Sequence, residues 1–298
     1  MSAIVNAASE VNNLDFSDLA HEATDNETGA FLMDEGPHKT VWMVHDRQFD
    51  DGQREICVTK STRIRQNGPL PLINRAKRGE SEKREENKQD SVKRAKQQVR
   101  LRCKQIRADR MITLTLRENV QDVEIMAGYF DKFRRSMSKA KKFHYVATIE
   151  PQERGALHMH IAVKGVQHFA TIRGIWQKVV GQDKEGREMG QINVRNPNSF
   201  GFGKSGLHKL ASYIAKYIGK NADIHALNKK KYWSSKGIVL PEKNYYQLPY
   251  GTSEADAYLH ILQIAANHNN DGMTFFSNSG LGVCWVATGP TIAAVPMG

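Results

Sequence analysis

Cysteine is scarce in this chain of 298 residues: Cys57, Cys103 and Cys284 are an odd, scattered set with no CxxC pair. That excludes a disulfide framework and a thiolate metal site. Long hydrophobic runs are also missing. No stretch approaches the roughly 18 apolar residues that span a bilayer, so no membrane partner is expected. Met1 opens no basic-then-apolar leader, and the expected location is the cytoplasm. Residues 1–37 contain no Lys or Arg at all, against eight Asp or Glu. A leader of one sign with Ser and Asn reads as a flexible tail.

What the chain does carry is positive charge, a formal net of +11, with 40% hydrophobic residues. The length and apolar content can bury a sizeable core in one or two domains. The charge favours a polyanionic partner. Against that charge the acidic leader admits a second reading, as a mimic of DNA that covers a basic surface. Residues 38–74 read as a β-hairpin extension, with TVWMVHDRQF and REICVTK on either side of Asp50, Asp51 and Gly52. Residues 75–110 carry fourteen Lys or Arg against six acids and read as a basic helix, with Val92, Val99 and Ile106 as a thin apolar seam. Such a helix is either a solvated face or a contact to phosphate backbone.

From residue 111 the patterns alternate. MITLTL (Met111 to Leu116) is a short strand, and Val123, Met126, Phe130 and Phe133 recur at helical spacing. FHYVATIE and LHMHIAV are two strands joined by the short PQERGA link; a second amphipathic helix and the strand MGQINVR follow. The order β-α-β-β-α-β-α implies an α+β fold: a central antiparallel sheet with helices packed on one face, of the ferredoxin-like, split βαβ kind. The open face is then available for a site.

Two constellations could use it. In LHMHIAV, His158 and His160 project from one face of a strand. A hairpin register centred near Arg154 sets Glu150 opposite His158, and a one-residue slip removes it. Two imidazoles and a carboxylate suit a divalent ion such as Mg²⁺ or Mn²⁺, with Zn²⁺ compatible in ligand type. The competing reading of His-x-His is a chance pair on a polar face. In GLHKLASYIAKYIGK, Tyr213 and Tyr217 stack one turn apart on a helix, Lys216 flanks them, and Leu207, Leu210, Ile214 and Ile218 form a separate core stripe. Alone, that tyrosine pair reads as packing.

Together, the MITLTL strand, the His-hydrophobe-His strand and the YIAKY helix resemble, in chain order, the three motifs of the HUH endonucleases. SYIAKYIGKNAD is similar to the two-tyrosine branch, the gene A-type rolling-circle replication initiators of bacteriophages and related plasmids. The resemblance runs from about Ser91 to Ile238. It implies an HUH core over 111–250 with the histidines on a central strand and the tyrosine helix against its open face. It implies a bacterial host cell, a host helicase and a DNA polymerase as partners, and a covalent bond to single-stranded or origin DNA. The expected chemistry is tyrosine attack on a phosphodiester, giving a 5′-phosphotyrosine and a free 3′-hydroxyl, with catalytic Tyr213, Tyr217 and Lys216 and metal ligands His158, His160 and Glu150. Two tyrosines would let one hold the parental end while the other cuts again. A transposase or relaxase would share this chemistry, and a non-catalytic DNA-binding protein is the alternative from another class.

Candidate DNA contacts are Lys204, Lys209, Lys220, Lys230, Lys231, Tyr232 and Trp233. Gly203-Lys204-Ser205 ends like a phosphate-binding loop, but Asn198 stands where its first glycine belongs, so no ATP site is expected. In NKKKYWSSKG, cations interleave with aromatics that could stack bases or plug a core. Residues 251–298 read as a helix, SEADAYLHILQIAANH, and a tail of unknown role.

Overall fold

The structure is a computed structural model that describes residues 39–63, 81–195, 210–211, 213–216, 218, 230–267 and 272–291. They form an α+β fold built on two antiparallel five-stranded sheets. The sheets lie in two compact units, one within Met1–Arg75 and Pro241–Gly298, the other within Ala76–Leu240.

The first unit starts from the expected hairpin. Strands β1 (Lys39–Gln48) and β2 (Arg54–Arg63) pair from Gln48↔Arg54 outward, and Gly52, at φ 82°, supplies the left-handed residue of the connection. The later part of the chain adds β8 (Asn244–Gln247), helix α4 (Glu254–Ala266), β9 (Met273–Asn278) and β10 (Val283–Thr288), giving the strand order β8-β1-β2-β10-β9. Ser253 caps α4 by accepting from the Asp256 amide at 3.1 Å. Ala257, Ile261 and Ala265 of α4 are buried against Trp42, Val44, Ile56, Val58 and Val286. The helix was expected; the strands of the tail were not.

The second unit contains α1 (Arg84–Gln105), β3 (Arg110–Leu116), α2 (Val123–Ala140), β4 (Tyr145–Pro151), β5 (Leu157–Val163), α3 (Phe169–Val180), β6 (Gly190–Arg195) and the two-residue β7 (Trp233–Ser234). Residues 210–211, 213–216 and 218 are helical and are called here the tyrosine helix. The sheet order is β6-β3-β5-β4-β7, with β5 in the centre.

Side-chain alternation divides the work of this sheet. One face presents Ile112, Leu114, Ile149, Met159 and Ile161, which bury Met126, Phe130 and Phe133 of α2 and Ile172 and Trp176 of α3. Burying a side chain of this size contributes about 1.5–3 kcal/mol, so this layer dominates the unit's stability. The other face has two ends. Met111, Val146 and Ala162 form an apolar end, covered by Val92, Ala95, Val99 and Cys103 of α1 and by Leu210, Ile214 and Ile218 of the tyrosine helix. Beyond them the same face turns polar, and the site lies there.

Candidate active site on the central strand

The β4–β5 register follows from the turn between the strands. The Gln152 amide donates to the Ala156 carbonyl and the Gly155 amide to the Gln152 carbonyl, both at 2.8 Å. Gly155 sits at φ 85°, a conformation that disfavours residues with a Cβ. The turn sets Glu150 opposite His158 and Thr148 opposite His160. On the other side, β3 sets Thr113 opposite His160 and Thr115 opposite His158. The register that sequence spacing required is the one present.

His160 is buried, 6% exposed, and held at both ring nitrogens. Its Nε2 lies 2.9 Å from Glu150 Oε2 and its Nδ1 lies 3.1 Å from Thr113 Oγ1. In the neutral tautomer that satisfies both contacts, Nε2–H donates to the carboxylate and Nδ1 accepts from the hydroxyl. His158 is half-buried, with its ring centroid 6.2 Å from that of His160. Burial first, and then the neighbouring His160, push its pKa down to about 4, with Glu150 opposing weakly. At neutral pH His158 is therefore an uncharged imidazole with a free lone pair. Its Nε2 is buried and has no hydrogen-bond partner among the described residues. Such an orphan is costly unless a ligand meets it.

An open cleft of about 510 Å³ covers this end of the sheet. Glu150, His158, His160 and Tyr213 all line it, together with Asn193 and Arg195 of β6. The tyrosine helix is placed by its buried stripe: Leu210, Ile214 and Ile218 are at most 3% exposed. Half-buried Tyr213 is thereby left at the cleft, while Lys216 is exposed to solvent. Tyr217, Leu207, Lys204, Lys209 and Lys220 lie outside the described residues.

The remaining candidates are elsewhere. Lys230, Lys231, Tyr232 and Trp233 line a second cleft of about 800 Å³, at the β7 edge. Trp233 meets Phe130 edge to face, with centroids 6.3 Å apart, and Tyr232 packs against the core under α1. Sequence reasoning missed Thr113, Asn193 and Arg195. Their signal was available: in strands already assigned from MITLTL and MGQINVR, polar residues recur at every second position on the face that carries the histidines.

Two imidazoles and a carboxylate fit a hard-to-borderline divalent cation in kind, and the unpartnered Nε2 of His158 is a ready donor. As the side chains stand, no three His, Cys, Asp or Glu residues among those described enclose a metal, because His160 Nε2 is engaged by Glu150. Among the described residues no helix is long and apolar enough to cross a membrane.

No curated protein and no solved structure matches the chain. One family does: residues 109–222, from the threshold of β3 through the tyrosine helix, match the family model of the replication-associated protein ORF2.

Proposed function

We propose that this chain nicks single-stranded or locally melted origin DNA by tyrosine attack and thereby initiates rolling-circle replication. The observation that carries the reading is that Tyr213 lines the same cleft as Glu150, His158 and His160. The replication-associated family model over those elements favours an initiator over a transposase or relaxase with the same chemistry.

A phosphodiester resists nucleophiles because its oxygens are anionic, and charge grows further in the transition state. Bound Mg²⁺ or Mn²⁺ would neutralise those oxygens, with His158, His160 and Glu150 as its ligands. The chain's own groups do the rest. The Tyr213 or Tyr217 phenol, ordinarily of pKa about 10, loses its proton to solvent, a loss that the Lys216 ammonium favours. The phenolate oxygen bonds to phosphorus as the bond from phosphorus to the 3′-oxygen breaks, and that oxygen takes up a proton. The ester energy stays in the phosphotyrosine, so the strand can be rejoined without ATP. The free 3′-hydroxyl is a primer for a polymerase, and a helicase would separate the strands.

The test is a labelled single-stranded oligonucleotide from the origin of the encoding genome, incubated with the protein and Mn²⁺. A denaturation-resistant adduct is expected, and the double variant Tyr213→Phe, Tyr217→Phe should abolish it. An adduct that survives in the double variant would eliminate the tyrosine assignment.

A further inference from the structure

The cleft at the β7 edge is lined by six cations, Arg134, Lys141, Lys142, Lys230, Lys231 and Lys236, and by a single carboxylate, Asp131. That carboxylate is already paired with Arg134 and Arg135 on its own helix. Lys141 donates to the Gln167 side chain at 2.8 Å. Lys142, Lys230 and Lys236 are exposed and form no ion pair among the described residues. Like charges gathered without counter-charge repel one another, so the arrangement is at its lowest energy only when an anion with several charges occupies it. Ser138, Ser234 and Ser235 add hydroxyls to the same wall, the mixture of donors that meets phosphate oxygens. The aromatic faces are largely committed to the core: Trp233 and Tyr145 both pack edge-on against Phe130. The cleft therefore offers charge and hydroxyls, with little to read or stack a base.

We infer that this cleft is a second nucleic-acid site, separate from the cleft of His158 and Tyr213, and that it holds the sugar–phosphate backbone of a strand without regard to sequence. The inference rests on the proposed function for its occupant, DNA, but not for its chemistry. Burial and then the neighbouring Lys88 hold the Lys231 ammonium below its ordinary pKa, an effect that a bound phosphate would reverse.

The experiment is equilibrium binding of a fluorescent oligonucleotide, single- or double-stranded, in EDTA so that no cleavage occurs, across a series of salt concentrations. The protein compared with wild type carries Lys142→Gln, Lys230→Gln and Lys236→Gln, all at exposed positions. For a single strand, each lost phosphate contact lowers the slope of log K against log salt by about 0.7, so the triple variant should lose about 2. A loss confined to the duplex would identify the duplex as the occupant. A control with Lys164→Gln, Lys178→Gln and Lys184→Gln should keep the wild-type slope. An unchanged slope in the first variant, or an equal fall in the control, overturns the second site. If no covalent adduct ever forms but the slope still falls, the nicking mechanism fails and this site stands; if an adduct forms and the slope is unchanged, nicking stands and this site fails.

Discussion

The two sheets share a plan and differ in what they leave uncovered. Each has five antiparallel strands and buries one face under helix: α4 on the first, α2 and α3 on the second. Each also contains a histidine that burial drives to a pKa of about 4, His45 in β1 and His158 in β5. In the second sheet the histidine belongs to a row with Glu150, His160, Thr113 and Thr115 beside a cleft that Tyr213 shares. In the first, His45 has Tyr245 opposite it, their rings 4.7 Å apart, and no second imidazole among its strand partners. A perturbed pKa therefore does not mark a site; convergence of several donors on a shared cleft does.

Substitution can break that comparison. His160→Ala removes the ring that links Thr113 to Glu150, and adduct formation should fall at least about 100-fold. His45→Ala, scored per folded molecule, should leave the adduct yield unchanged; a matching loss would mean the two sheets are not functionally distinct. Thr113→Val retains shape but deletes the hydroxyl that orients His160. Calorimetry should report Mn²⁺ affinity lowered by roughly 10-fold, with Thr113→Ser restoring it. Equal affinities in Val and Ser variants would deny Thr113 that positioning role.

Acid should sharpen the comparison with the smallest effect. For both His45 and His158 the folded pKa lies below the ordinary value of 6.5. Between pH 6.5 and about 4 the unfolded chain binds the proton and the folded chain does not. The contribution is thus fully present above pH 6.5 and is lost as pH falls towards 4. Urea midpoints measured from pH 7 to 4.5 should decline less steeply in His45→Gln than in wild type. An identical decline would show that His45 is not held neutral.

The second sheet was legible because its decisive contacts are local. Glu150 and His158 meet through one short turn, and the helical stripe of Leu210, Ile214 and Ile218 is written in consecutive turns. The buried stripe of α1 was only half legible. Counting every seventh apolar residue found Val92 and Val99, but the packed set also uses Ala95 and Cys103, which are too small or ambiguous to announce burial. The first sheet was readable at its hairpin and its helix. Strand β10, VCWVAT, is buried throughout, so it shows no alternation, and it pairs with β2 near the opposite end of the chain. A pattern search along the sequence has no access to such a partner.

That last pairing has a consequence for synthesis. Strand β2 emerges early, yet its neighbour β10 is among the last parts of the chain to be made. Every strand of the His158 sheet is translated in between. The layer that carries the histidines can therefore assemble on the ribosome while the hairpin waits with an open hydrogen-bonding edge, the feature that most exposes a nascent chain to mispairing.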